Sequence, residues 1–172
     1  MKVDIFNTNK KYDIIYADPP WRYDFSKSSS RKIENQYPTM TTEDICKLPV
    51  PGSENSVLFL WATAPKLLQA IEVMKAWGYT YKTHSVWDKE TIGMGYWFRG
   101  QHEILLIGTR GRVSPPEPKH RKASVFREKK SKHSKKPLWY KAFISEAFPG
   151  MNKIELFARQ YSDGWDCWGN EV

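Results

Sequence analysis

Asp18-Pro19-Pro20-Trp21 places a carboxylate, two prolines and a tryptophan directly after the apolar run 12–17. The combination suits an amine held on a flat aromatic ring. Such a nitrogen is a poor nucleophile because its lone pair is delocalised into the ring. Accepting both of its N–H groups favours the pyramidal form and frees that pair. A carboxylate and a backbone carbonyl supply the two acceptors. The prolines fix φ and carry no N–H, so the corner offers acceptors without competing donors. Trp21 offers a face for a base, a contact worth roughly 1–3 kcal/mol in nucleic-acid sites. The natural electrophile for so electron-rich a corner is a cationic methyl donor, helped by fixed dipoles aimed at the developing charge. A lone Asp-Pro-Pro is more often a capped turn with a core tryptophan. The buried strand before it and the basic chain around it favour the chemical reading.

The elements that must hold this corner follow from the pattern of apolar residues. Continuous apolar runs at 12–17 and 56–63 read as strands covered on both faces. Alternating or apolar runs at 79–89, 102–110 and 152–159 add three more, with short strands at 2–6 and 165–169. Helices are expected at 39–48, after a Thr cap, at 65–78, from Pro65 to Gly78, and at 138–148, between Pro137 and Pro149-Gly150. The polar stretch 24–36 and the glycine-containing 90–101 read as loops. Strands separated by helices imply an α/β fold, a mostly parallel sheet with helices on both faces. In such sheets ligands sit beyond the carboxyl ends of the strands, which would bring Asp18 and Arg159 together.

The chain has 172 residues and is expected to form a single domain over 1–172. Its formal net charge is +8, which suits a polyanion, nucleic acid before others. Residues 110–137 hold eleven Lys/Arg against two Glu, and 111–136 is expected to be a mobile basic loop. Arg99, Arg110, Arg112, Lys119, Arg121, Lys122, Arg127, Lys129 and Lys130 are the candidate nucleic-acid contacts. Phe98-Arg99 and Phe126-Arg127 are candidates for stacking near bases. Cys46 and Cys167 are far apart and read as reduced thiols. The four histidines make no metal-ligand pattern, and "HEILL" at 102–106 departs from HExxH, so no metal is expected. No apolar run approaches the ~18–20 residues of a membrane span, and residues 1–11 lack a signal-peptide core. A cytoplasmic protein is expected.

These motifs together resemble one family. Asp18-Pro19-Pro20-Trp21, "YPTM" (37–40), "LFLWAT" (58–63), "VWDK" (86–89), "HSKKP" (133–137), "KIELFAR" (153–159) and "WGN" (168–170) are similar, in order, to motifs of the S-adenosylmethionine-dependent adenine methyltransferases of the MT-A type. That family includes the catalytic subunit of the messenger-RNA adenosine methylase and bacterial and phage DNA methylases. The resemblance implies a Rossmann-like methyltransferase fold with permuted motif order, since the donor-binding strand follows the catalytic motif. It implies S-adenosylmethionine as cofactor and the N6 amine of adenine as acceptor, with DNA expected over RNA and a catalytically silent nucleic-acid-binding subunit as the competing reading from another class. By similarity Asp18, Pro19, Pro20 and Trp21 are catalytic, and Tyr37 and Lys89 lie near the acceptor. Asp18, Lys89, Glu155, Phe157, Arg159, Tyr161, Ser162, Asn170 and Glu171 would hold the cofactor, with Asp4-Ile5 a weaker match near its adenine. Tyr161-Ser162 stand where the RNA enzyme has His-Asn, and Glu171 where it has Gln. No GxGxxG fingerprint is present. A homodimer would be one source of additional recognition surface.

Overall fold

The computed structural model describes residues 1–23, 38–131 and 135–172. Seven strands form one sheet: β1 (Tyr12–Ala17), β2 (Gly52–Ala62), β3 (Thr80–Asp88), β4 (His102–Arg110), β5 (Val125–Arg127), β6 (Lys153–Leu156) and β7 (Asp166–Trp168). Their order is β5-β3-β4-β2-β1-β6-β7. β1 pairs in parallel with β2 and β6, β6 with β7, and β3 with β5. β4 runs antiparallel to both its neighbours, β2 and β3. The sheet is therefore mostly parallel, with β4 alone reversed.

Strand alternation divides the apolar residues between two layers. Ile15, Ala17, Leu58, Leu60, Ile154 and Leu156 face α1 (Thr42–Cys46) and α2 (Leu67–Ala76), which contribute Ile45, Val73 and Met74. Ile14, Tyr16, Phe59 and Trp61 face α3 (Leu138–Ala147) through Tyr140 and Ile144. Helices thus cover both faces, as the alternation of elements implies. α1 starts at Thr41, whose side chain accepts the Asp44 N–H. Pro65 opens a 3-10 turn, Ala64–Lys66, that leads into α2, and Gly78 turns the chain out with φ of 81°.

Two expectations need correction. Residues 2–6 form no strand; Lys2 makes one isolated bridge to Cys167, and residues 5–7 turn. The basic segment expected to be a mobile loop carries a 3-10 turn, Pro118–His120, and the edge strand β5. Phe126 explains the strand. It stacks on Trp139 of α3 at 4.2 Å and 9°, which draws the backbone of 125–127 onto the ladder of Val86–Asp88. The loop expected at 24–36 lies outside the described residues, as does Tyr37. No described helix is long and apolar enough to cross a membrane.

Candidate active site

Ala17 pairs with Leu60 on one side and Leu156 on the other, so the residues that follow these strands converge at one rim of the sheet. Asp18 is the first residue beyond β1. The corner after it closes tightly: Trp21 N–H donates to the Pro19 carbonyl at 2.9 Å, and Met40 N–H to the Pro20 carbonyl at 2.9 Å. The Pro19 oxygen keeps a second lone pair for another donor. Trp21 is 5% exposed and donates its indole N–H to the Trp61 carbonyl at 3.1 Å. It serves as a wall of the adjacent cavity, with its indole N–H engaged.

Two cavities meet at Asp18. One, of about 290 Å³, is bounded by Tyr16, Lys141, Glu155, Phe157 and Leu138. The other, of about 180 Å³, is bounded by Pro19, Pro20, Trp21, Tyr23, Trp61 and Thr63. Asp18, Lys136 and Arg159 line both and form the partition between them.

The partition is a chain of charges. Lys136 Nζ lies 3.0 Å from Asp18 Oδ2 and 3.0 Å from Glu103 Oε2, and Lys89 Nζ lies 3.5 Å from Glu103 Oε1. The side chains of Lys136, Glu103 and Asp18 are 13%, 9% and 26% exposed. Burial pushes the Asp18 carboxyl above its ordinary value and Glu103 adds to this, while Lys136 pulls against it. Burial alone would depress the Lys136 ammonium, but Asp18 and Glu103 outweigh it and hold the group well above its ordinary value. Glu103 reaches this rim only because β4 is reversed: its amino end lies beside the carboxyl ends of β2 and β3.

On the larger cavity's side, Lys141 of α3 pairs with Glu155 and donates to Ser162 Oγ at 2.8 Å. Burial raises the Glu155 carboxyl, against the pull of Lys141. Trp61 Nε1 donates to the Tyr16 hydroxyl at 2.6 Å, so one buried hydrogen bond links the floors of the two cavities. Phe157 has φ of 62°, a left-handed backbone that costs an aromatic residue roughly 1–3 kcal/mol. The turn it makes carries the chain from β6 toward Arg159, whose Nε sits 3.6 Å from Glu171.

Asp18, Glu155, Phe157 and Arg159 thus share one cavity wall, and Lys89 joins them through Glu103. Ser162 is tied in through Lys141, while Tyr161 and Asn170 are exposed. Asp4 is engaged locally, accepting the Phe6 N–H at 3.0 Å, and Ile5 is core. Their turn still lies near this rim, since Phe6 meets Trp168 and Trp168 meets Phe157. Lys136, Glu103 and Lys141 were not singled out from the sequence. Lys136 lies within the quoted "HSKKP", and a lysine directly before a helix-opening proline was the available signal.

The basic residues divide. Arg127 lies 3.4 Å from Asp88, and Lys130 N–H donates to the Lys89 carbonyl, so Arg127, Lys129 and Lys130 flank the site rim. Arg99 is exposed on the loop that enters β4. Arg110 differs from expectation. It sits at the opposite end of β4, donates to the carbonyls of Gly52 and Trp77, and packs over the Tyr79 ring at 4.6 Å. Arg112 is beside it, its N–H bonded to Asn55. Lys119, Arg121 and Lys122 precede β5, where the chain lies against α3 through the His120–Glu146 contact.

Comparison with known proteins bears directly on this rim. The chain is 34% identical over 184 residues to the type II methyltransferase M.MunI of Mycoplasma sp, covering 95% of this chain and 78% of that protein. It is 27% identical to the human N(6)-adenosine-methyltransferase catalytic subunit METTL3, covering 94% of this chain but 28% of that protein. A Medicago truncatula putative N(6)-adenosine-methyltransferase MT-A70-like protein is 29% identical, with 26% of its length matched. The MT-A70 family model matches residues 12–171, from the first residue of β1 to Glu171 beside Arg159, and the chain belongs to the MT-A70 family of S-adenosylmethionine-dependent methyltransferases.

Proposed function

We propose that the chain transfers a methyl group from S-adenosylmethionine to the N6 amine of adenine in DNA. The observation that carries this is the shared wall: Asp18, Lys136 and Arg159 stand between two cavities of different character. A group-transfer enzyme needs donor and acceptor on either side of one set of polar residues. The larger cavity fits the donor in its chemistry. It offers Phe157 and Leu138 to an apolar ring, Asp18 and Glu155 to an ammonium, and Lys141 and Arg159 to a carboxylate. When bound, S-adenosylmethionine supplies an electrophilic methyl on a sulfonium. The smaller cavity offers the acceptor Asp18 and the remaining Pro19 lone pair. Asp18 accepts one amine hydrogen, and Pro19 the other. As the nitrogen gains the methyl it must release one proton, and Asp18, held above its ordinary carboxyl value, is placed to take it. Lys136 keeps Asp18 oriented and limits how far burial raises it.

DNA is proposed because the relative matched over most of both chains is a type II methyltransferase, a designation we read as that of a DNA modifier. The adenosine methyltransferases named above are matched over about a quarter of their length. The test supplies labelled methyl donor with duplex DNA, single-stranded DNA or RNA to the protein and to Asp18→Ala. Label in DNA that vanishes in the variant is the expected result. Label confined to RNA reassigns the substrate. Absence of label, with salt-sensitive binding unaffected by Asp18→Ala, makes the chain a silent nucleic-acid-binding subunit.

A further inference from the structure

The loop 90–101 presents Tyr96, Trp97 and Phe98 at 103%, 95% and 89% exposure, a consecutive aromatic run turned wholly to solvent. Aromatic side chains of this size ordinarily bury 150–250 Å² each, so their joint exposure needs a reason. The run is held out on a built stem. Lys89 N–H donates to the Gln101 carbonyl at 2.8 Å, Gly93 N–H to Gly100 at 2.8 Å, and Gly100 N–H to Met94 at 3.0 Å. Asp88 Oδ1 accepts both Gln101 Nε2 and Glu90 N–H at 2.9 Å, fixing the base of the loop. A Cβ on Gly95 would fall 2.0 Å from the Phe98 carbonyl, and one on Gly93 would fall 2.8 Å from that of Gly100. Only glycines permit this closure, which fixes the tip before any ligand arrives.

The place of the stem matters. It joins β3 to β4 at the active-site rim, two residues from Glu103. Trp97 can lie no more than about 14 Å from Gln101, at the reach of an extended chain. Arg99 stands on the tip itself, and Arg127, Lys129 and Lys130 lie beside its base. We propose that Tyr96–Phe98 form a stacking platform for unpaired bases that flank the target base. The inference rests on the proposed nucleic-acid substrate and names the part of it that this loop grips. Aromatic faces interleaved with cations are the usual means of holding single strands without reading their sequence. The competing occupant, a second copy of the chain, is disfavoured by charge, because each copy carries +8 and a polyanion is drawn to the same surface that a copy would repel.

The test measures fluorescence anisotropy of a short labelled single-stranded DNA oligonucleotide containing adenine, across a salt series. The protein is compared with the triple variant Tyr96→Ser, Trp97→Ser, Phe98→Ser and with Lys129→Ala, Lys130→Ala. The triple variant is expected to bind about tenfold or more weakly at every salt concentration, with an unchanged slope against log salt. The lysine variant is expected to flatten that slope. On an oligonucleotide of abasic sites the difference between protein and triple variant should vanish. Equal affinity for the adenine oligonucleotide overturns the proposal, as does an equal loss on the abasic strand. A native dimer that the triple variant converts to monomer in sedimentation assigns the tip to self-association and also overturns it. Calorimetric binding of S-adenosylmethionine, unchanged in the variant, verifies its fold. Methyl transfer separates the two readings: label transferred by a native protein whose binding ignores the tip sinks this inference alone, whereas tip-dependent binding without transfer sinks the enzymatic one.

Discussion

Replacing Lys136 by methionine tests the charge chain at its centre. Lys136 stands 3.0 Å from both Asp18 and Glu103, and its removal leaves two largely buried carboxylates facing one cation fewer. Breaking a buried pair from one side costs about 3–5 kcal/mol. Asp18 keeps some contact with water and Glu103 keeps Lys89, so the expected loss is near the lower end, about 3 kcal/mol. For a chain of this size that lowers Tm by about 6–12 °C. The pH dependence is more diagnostic. The folded pKa of Lys136 is raised, so its contribution is complete below the unfolded lysine value and is lost only as pH climbs through the folded one. In the variant, Asp18 loses two influences that lowered it and rises further. A carboxyl held high in the fold binds protons there more readily than in the unfolded chain, so the variant regains stability as pH falls. The difference between the two proteins should be widest from neutral to weakly alkaline pH and narrow toward about pH 4–5. Urea unfolding across that range measures it. A deficit below about 1 kcal/mol, or one that stays constant into acid, refutes the electrostatic account. In the methyl-transfer assay the acid limb of kcat/KM should move to higher pH in the variant, because in the proposed reaction Asp18 accepts an amine hydrogen as the carboxylate.

Phe157→Gly should relieve the left-handed backbone, offsetting by roughly 1 kcal/mol the packing it loses against Trp168, while calorimetry shows weaker S-adenosylmethionine binding. Gly169→Ala would set a Cβ 2.2 Å from the Ala158 carbonyl, and backbone cannot yield as a side chain can. A loss of about 2–3 kcal/mol in urea unfolding is expected. Arg110→Ala should destabilise the fold with little change in the salt slope of DNA binding, since its guanidinium holds the Gly52 and Trp77 carbonyls.

The strands that position the site were legible because burial on both faces leaves long apolar runs, as at 12–17 and around 56–62. Asp18 and Arg159 could be placed at one rim by topology alone. The charge chain was not legible in the same way. Lys136 precedes a helix on the far layer, and Glu103 lies at the start of a strand whose reversal no local pattern announces. Their meeting with Asp18 is a product of sheet order, to which sequence spacing is blind. Trp21 shows the same limit: its indole N–H goes to the Trp61 carbonyl, forty residues away, a contact that no local pattern announces. The strand at 125–127 was hidden by surrounding basic residues, whose charge outweighed one aromatic, Phe126, anchored on Trp139 and Tyr140.

The reversal of β4 has a consequence for how this scaffold can change. A parallel crossover must return along the length of the sheet, but β3 and β4 meet as neighbours at the reactive rim, so the link between them is open-ended. Lengthening it adds little closure entropy, about 0.6 kcal/mol per doubling, and disturbs no register elsewhere. Under the stacking role proposed for the 90–101 tip, substrate preference can therefore be rewritten there by insertion or deletion, while the carboxylate, the prolines and the lysine behind it stay as they are.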